Sequence, residues 1–148
     1  MAFVVVDSEN DVNWLWFLKE VSSILAGQDK ELTFISNHHH GLIEGAKNVF
    51  PNAGHGFCYY HLKQNLRSRI CGKGQASLWN EVVNLFLHCM HCADKFKFHQ
   101  LLAEVIRLGG DKIKDMLREM PLHNWSTFYF RGDSWGDISS GLAESFNN

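Results

Sequence analysis

Two hydrophobic periods divide this chain. Up to Cys58, short apolar runs alternate with segments of helical spacing; from Tyr59 onward the helical spacing takes over. A chain patterned this way builds a small sheet covered by helices and then a helical block. Residues 2–6 (AFVVV) are apolar and β-branched and read as a strand. Asp11 or Asn13 then supplies an N-cap, Trp14, Phe17, Leu18, Val21 and Leu25 follow at helical spacing, and Gly27 stops the helix. Residues 31–36 (ELTFIS) read as a second strand. Ser36 and Asn37 cap a helix that carries Leu42, Ile43, Ala46, Val49 and Phe50 and ends at Pro51. Residues 53–58 (AGHGFC) form a third strand, weakened by two glycines.

Four apolar stripes make up the second part. Leu62, Leu66 and Ile70 mark one helix, closed by Gly72-Lys73-Gly74, and Trp79, Val82, Val83, Phe86, Leu87 and Met90 mark the next. Phe98, Leu101, Leu102, Val105 and Ile106 give a third, stopped by Gly109-Gly110; Ile113, Met116, Leu117 and Met120 give a fourth, ended by Pro121. These stripes are core, not a cofactor box. Residues 128–130 read as extended, Arg131-Gly132-Asp133 is a polar turn, and Ser139 or Ser140 caps a last short helix carrying Glu144.

An apolar share of 45% and a charged share of 20% exclude disorder as the main state. Apolar runs such as Leu15-Trp16-Phe17-Leu18 are far too short to cross a bilayer, so no membrane partner is expected. The first residues have no basic stretch ahead of a long apolar one, and four cysteines do not make a disulfide scaffold, which fits a reducing compartment. The net charge of −2 does not advertise a nucleic-acid binder. Its distribution says more. No acidic residue lies between Gly45 and Asn80, whereas Lys47, Lys63, Arg67, Arg69 and Lys73 all do; Asp7, Glu9 and Asp11 flank this stretch on one side and Asp133, Asp137 and Glu144 on the other. Lys63 and Arg67 stand four apart, so the basic run is either a solvated helix face or a phosphate-facing strip.

Cys58 and His61 form a C-x-x-H pair at a strand-to-helix junction, where a turn brings thiolate and imidazole to one side. A structural Zn2+ needs four ligands, and Cys89 and Cys92 offer a second pair. On a helix, though, those two run beside the apolar stripe, and buried, inert cysteines are the plainer account. His38-His39-His40 cannot face one ion from a helix and reads as a loop or helix start. Glu144, alone among small and polar residues, gains meaning only if another carboxylate faces it.

Taken in order, these segments resemble the Mutator-like (MULE) transposase domain of plants. The resemblance starts with AFVVVDSENDVNWLWFLKEV and continues through ELTFISNHHHGLIEGAKNVFPNAGHGFCYYHLKQNLRSR, with Gly41, Pro51, His55, Cys58, His61 and Asn65 in pattern. It closes with WSTFYF (125–130) and SSGLAESFNN (139–148). The chain also resembles the far-red-impaired-response-type transcription regulators derived from such transposases.

This resemblance implies an α/β, partial ribonuclease-H-like fold. Strands 3 to 5 of a sheet ordered 3-2-1-4-5 are present with their helices, strands 1 and 2 are missing, and a helical insertion follows. Residues 1–74 form the truncated α/β part, 75–120 the insertion, and 121–148 the return segment. Without its neighbours, the strand at 2–6 is expected to pair directly with 32–35 or to stay loosely attached. The resemblance further implies a nuclear protein, DNA as partner, and an Asp, Asp, Glu set holding two Mg2+ ions for phosphodiester cleavage and joining. The third carboxylate falls on Glu144; the second position, directly after Ser36, holds Asn37; the first lies upstream of residues 2–6, and the chain starts at Met1 without it. An asparagine offers a neutral oxygen but not the charge that holds a divalent ion against water. The expected function is therefore a transposase fragment without catalysis or Mg2+ of its own. The alternative is a DNA-binding or regulatory module that contacts phosphates through Lys63, Arg67, Arg69 and Lys73.

Overall fold

The structure, a computed structural model, describes residues 5–27, 31–70 and 76–130. The first helix, α1 (Asp11–Leu25), is capped by Asn10, whose side chain accepts the Asn13 amide at 2.9 Å. Asp11 and Asn13 are thus inside the helix and not its cap. A cap residue needs extended backbone, and it is Asn10 that has it, at φ −143° and ψ 169°. Gly27 takes the left-handed φ of +84° just past the helix end, as a stop there requires.

Strand β1 (Thr33–Ser36) leads into helix α2 (His40–Val49) and strand β2 (Gly54–Phe57). The two strands pair in parallel from Thr33 opposite Gly54 to Ser36 opposite Phe57, so α2 is the crossover that parallel pairing demands. Neither Ser36 nor Asn37 caps α2. Ser36 spends its hydroxyl on the Asn37 carbonyl, and Asn37 Oδ1 accepts the His39 amide, so the cap falls to His39, whose Nδ1 accepts the Gly41 amide at 3.2 Å. His38 lies in the loop ahead of that cap, and His40 is the first residue of α2.

Helix α1 packs on α2 at two glycines four residues apart. A Cβ on Gly41 would overlap the Asp11 side chain and stand 2.6 Å from the Asp11 Cα; one on Gly45 would stand 2.8 Å from the Leu18 Cδ1. The small residues let the helices approach so that Leu18, Leu42 and Ala46 form a buried cluster, with Trp14, Phe34, Val49 and Phe50 against it.

The main core lies in the helical block of α3 (Tyr59–Ile70), α4 (Ala76–Met90) and α5 (Lys95–Glu119). Leu62, Leu66 and Ile70 of α3 and Val82, Val83, Phe86 and Met90 of α4 are buried, which is the periodicity read from the sequence. The expected stop at Gly109-Gly110 exists as a break inside α5, where Gly110 takes φ +72°; Phe98 and Val105 are buried before it, Ile113, Met116 and Leu117 after it.

Residues 121–130 tie this block to the sheet. Trp125 stacks against Phe86 and Phe98 with centroids 5.1 and 5.8 Å away and donates its Nε1–H to the Met120 carbonyl. Thr127 N donates to the Met90 carbonyl and Asn124 Nδ2 to the His55 carbonyl of β2 at 2.6 Å. Residues 128–130 are not an extended piece: residues 127–129 form a turn, closed by Tyr129 N on the Ser126 carbonyl at 3.1 Å, which lays the Tyr129 ring against Phe98 of the core.

The described part of the expected strand at 2–6 is not a strand either. Val5 and Val6 have no regular structure and are 89% and 40% exposed, with no ladder partner on β1. An apolar strand with no neighbour gains neither hydrogen bonds nor burial. Residues 2–4, the Arg131-Gly132-Asp133 turn and the helix expected after Ser139 or Ser140 lie outside the described residues. The described fold is therefore mixed α/β and mostly helical, with one two-stranded parallel sheet.

Candidate functional site

Two places carry chemistry, one acidic and one basic. The acidic one lies beyond the C-terminal end of β1. Asp7, Glu9 and Asp11 border an open groove with Asn13 and His39. The loop that presents them is shaped by asparagines: Asn13 Nδ2 donates to Asp7 Oδ1 at 3.1 Å and to the Ser8 carbonyl, and Asn10 Nδ2 donates to Ser8 Oγ. Asn37 stands at the mouth of this groove with both ends of its amide engaged. Its Nδ2 donates to Glu9 Oε1 at 3.4 Å and its Oδ1 accepts the His39 amide at 3.3 Å. Nothing in the sequence paired Glu9 with Asn37, because 28 residues separate them.

Behind Asn37 sits a half-buried histidine. His55 Nε2 lies 2.6 Å from Ser36 Oγ and its ring stands edge-on to Phe57. Burial, with Lys47 and His38 adding to it, holds His55 below the usual histidine range, so the ring is neutral near pH 7. His38 meets Phe57 edge-on at 4.6 Å and is also pushed down by burial, the Glu119 carboxylate opposing and the Arg69 guanidinium adding to the effect.

Cys58 immediately precedes α3 and His61 lies in its first turn. The Cys58 carbonyl accepts the first helical bond, from Leu62 N, and its own amide donates to the Ser36 carbonyl. The C-x-x-H spacing is thus the spacing from the cap to the third residue of a helix, and Cys58 is fully buried. Cys89 and Cys92 turn instead to the end of α4. Cys89 Sγ faces the Phe98 carbonyl at 3.6 Å and Cys92 Sγ the Asp94 carbonyl at 3.3 Å. Burial first, and Cys92 second, push the Cys89 thiol up to about 12, which keeps it protonated and unreactive. The structure does not bring the two cysteine pairs together. Among the described residues no group of three His, Cys, Asp or Glu side chains is placed to hold a metal ion.

The basic place is the seam between α3 and α4. Lys63 Nζ lies 5.6 Å, and Arg67 Cζ 5.1 Å, from the centroid of the Trp79 ring. Arg69 is not with them. Two residues on from Arg67 it leaves the other side of α3, where its guanidinium folds onto the Asn65 carbonyl and faces His38. Sequence reasoning put Trp79 in an apolar stripe and missed its contact with the two cations, which only helix pairing creates. Lys73 and Glu144 lie outside the described residues.

A mixed α/β domain with Asp7, Glu9 and Asp11 past the end of one strand of a parallel β–α–β unit is the class these features define. Residues 1–65 match the family model of the MULE transposase domain, so the resemblance read from the sequence holds over this stretch. That stretch includes Asn37, Cys58, His61 and Lys63. Searches of curated proteins and of solved structures gave no match.

Proposed function

We propose that this chain is a transposase-derived fragment that performs no phosphodiester cleavage and binds no Mg2+ pair. One observation carries this reading: the amide of Asn37, at the place the family gives its second carboxylate, is used on both sides by the protein itself. An amide nitrogen turned to Glu9 draws that carboxylate in by hydrogen bonding, where a second carboxylate would need a cation between them. Neutral Asn37 with Glu9 is thus a poor fit to a two-ion site. The parallel β1–α2–β2 unit supports a ribonuclease-H-like origin, with β1 and β2 in the places of that sheet's fourth and fifth strands.

The DNA-contacting reading, of the regulator type, has its own support in Lys63 and Arg67, which project from a stretch without acidic residues. Zn2+ at Cys58 and His61 has no such support, since a closed site needs four donors.

The test is incubation of the purified chain with supercoiled plasmid and MgCl2, beside a fluorescence-anisotropy titration of a duplex oligonucleotide. Intact plasmid and weak, salt-sensitive duplex binding are expected. Nicking that requires Mg2+ and disappears in Asn37→Ala would overturn the inactive reading. Duplex binding that ignores salt would overturn the phosphate-contact reading.

A further inference from the structure

The seam between α3 and α4 holds two cations side by side, with no carboxylate paired to either among the described residues. Lys63 and Arg67, one helical turn apart, repel each other, and among the described residues neither is in an ion pair with a carboxylate. Left alone, two such side chains spread into solvent over many rotamers. Here both lie over the Trp79 ring, whose negative face attracts them without cancelling their charge. Trp79 is itself held by packing against the main core, and its buried Nε1–H has no hydrogen-bond partner, so no polar bond fixes the ring. The tryptophan therefore does for the cations what a salt bridge would do, while leaving them free to meet an anion.

We propose that Trp79 is a positioning residue for DNA backbone contact: it pre-orders Lys63 and Arg67 so that they meet neighbouring phosphates of a duplex. This rests on the DNA-contacting reading above. Ordering long side chains in advance removes an entropy cost from binding, and the charge presented to the phosphates stays the same. Removing the ring should weaken binding without changing the number of phosphates neutralised.

The experiment is anisotropy of a labelled duplex of arbitrary sequence against the intact chain over a range of NaCl concentrations, with thermal unfolding of every variant. Trp79→Leu should lose affinity by about three- to tenfold at each salt concentration, with the slope of log K on log salt unchanged. Lys63→Ala should instead flatten that slope by about 0.9. In the Lys63→Ala/Arg67→Ala background, Trp79→Leu should have no further effect. Should the leucine variant fail to fold, Trp79→Phe decides: a weaker ring should cost about twofold at constant slope.

Wild-type affinity in Trp79→Leu, or in Trp79→Phe where only that variant folds, overturns the proposal and leaves the DNA reading standing. So does a loss that persists in the double-alanine background, which would mark a general folding effect. Absence of any salt-dependent duplex binding by the wild-type chain sinks the DNA reading and this role with it. Equal competition by poly-glutamate would show a surface for any polyanion and overturn the duplex assignment.

Discussion

The two glycines of α2 give a paired test of how α1 is seated. Gly41→Ala sets a methyl 2.6 Å from the Asp11 Cα, a backbone atom that moves only if the start of α1 moves. Ordinary contact needs about 3.5–4.0 Å, so the helix end must retreat by roughly 1 Å. A gap of that size forfeits about a quarter to a half of the dispersion attraction along the opened contact, and overpacking of this kind costs about 1–3 kcal/mol. Gly45→Ala meets only the far end of the Leu18 side chain, which can rotate aside, and alanine returns roughly 0.5–1 kcal/mol of helix propensity. We therefore expect Gly41→Ala to lower the thermal midpoint by about 3–8 °C and Gly45→Ala to leave it within about 2 °C of wild type. Thermal unfolding followed by far-ultraviolet circular dichroism measures both. Equal midpoints for the two variants, or Gly45→Ala as the less stable, would refute the argument from backbone contact.

Trp125→Ala removes the ring that stacks on Phe86 and Phe98 and joins residues 121–130 to the helical block; denaturant unfolding should show a loss of about 3–5 kcal/mol, and a loss below about 1 kcal/mol would show the segment held elsewhere. His55 supplies a pH dependence. Its folded-state pKa lies below the unfolded value, so the stabilisation is full above the usual histidine range and is lost as pH falls through the depressed value. The midpoint should thus fall from pH 7.5 toward pH 5, more steeply in wild type than in His55→Gln; identical slopes would remove His55 from the account.

The acidic groove and the basic seam divide the chain electrostatically. On the DNA-contacting proposal, phosphates are drawn to Lys63 and Arg67 at the seam and repelled by Asp7, Glu9 and Asp11 at the groove.

By itself the sequence determined the described α-helices and both described strands. The spacing of Leu62, Leu66 and Ile70, and of Val82, Val83, Phe86 and Met90, reports burial directly, since a core-facing stripe repeats at the helical period whatever it packs against. The asparagine after Ser36 was legible too, as one residue type standing at one place in a pattern. Caps were missed by a few residues because several neighbouring side chains could accept the first amides of each helix, and only three-dimensional placement decides which is still unspent: Ser36 and Asn37 are engaged elsewhere, which leaves His39 to cap α2. Tertiary structure alone decided that Asn37 meets Glu9, that Trp79 carries Lys63 and Arg67, and that Arg69 parts from them. Those contacts join different elements, and the geometry that creates them comes from helix packing and strand register, which no local pattern encodes.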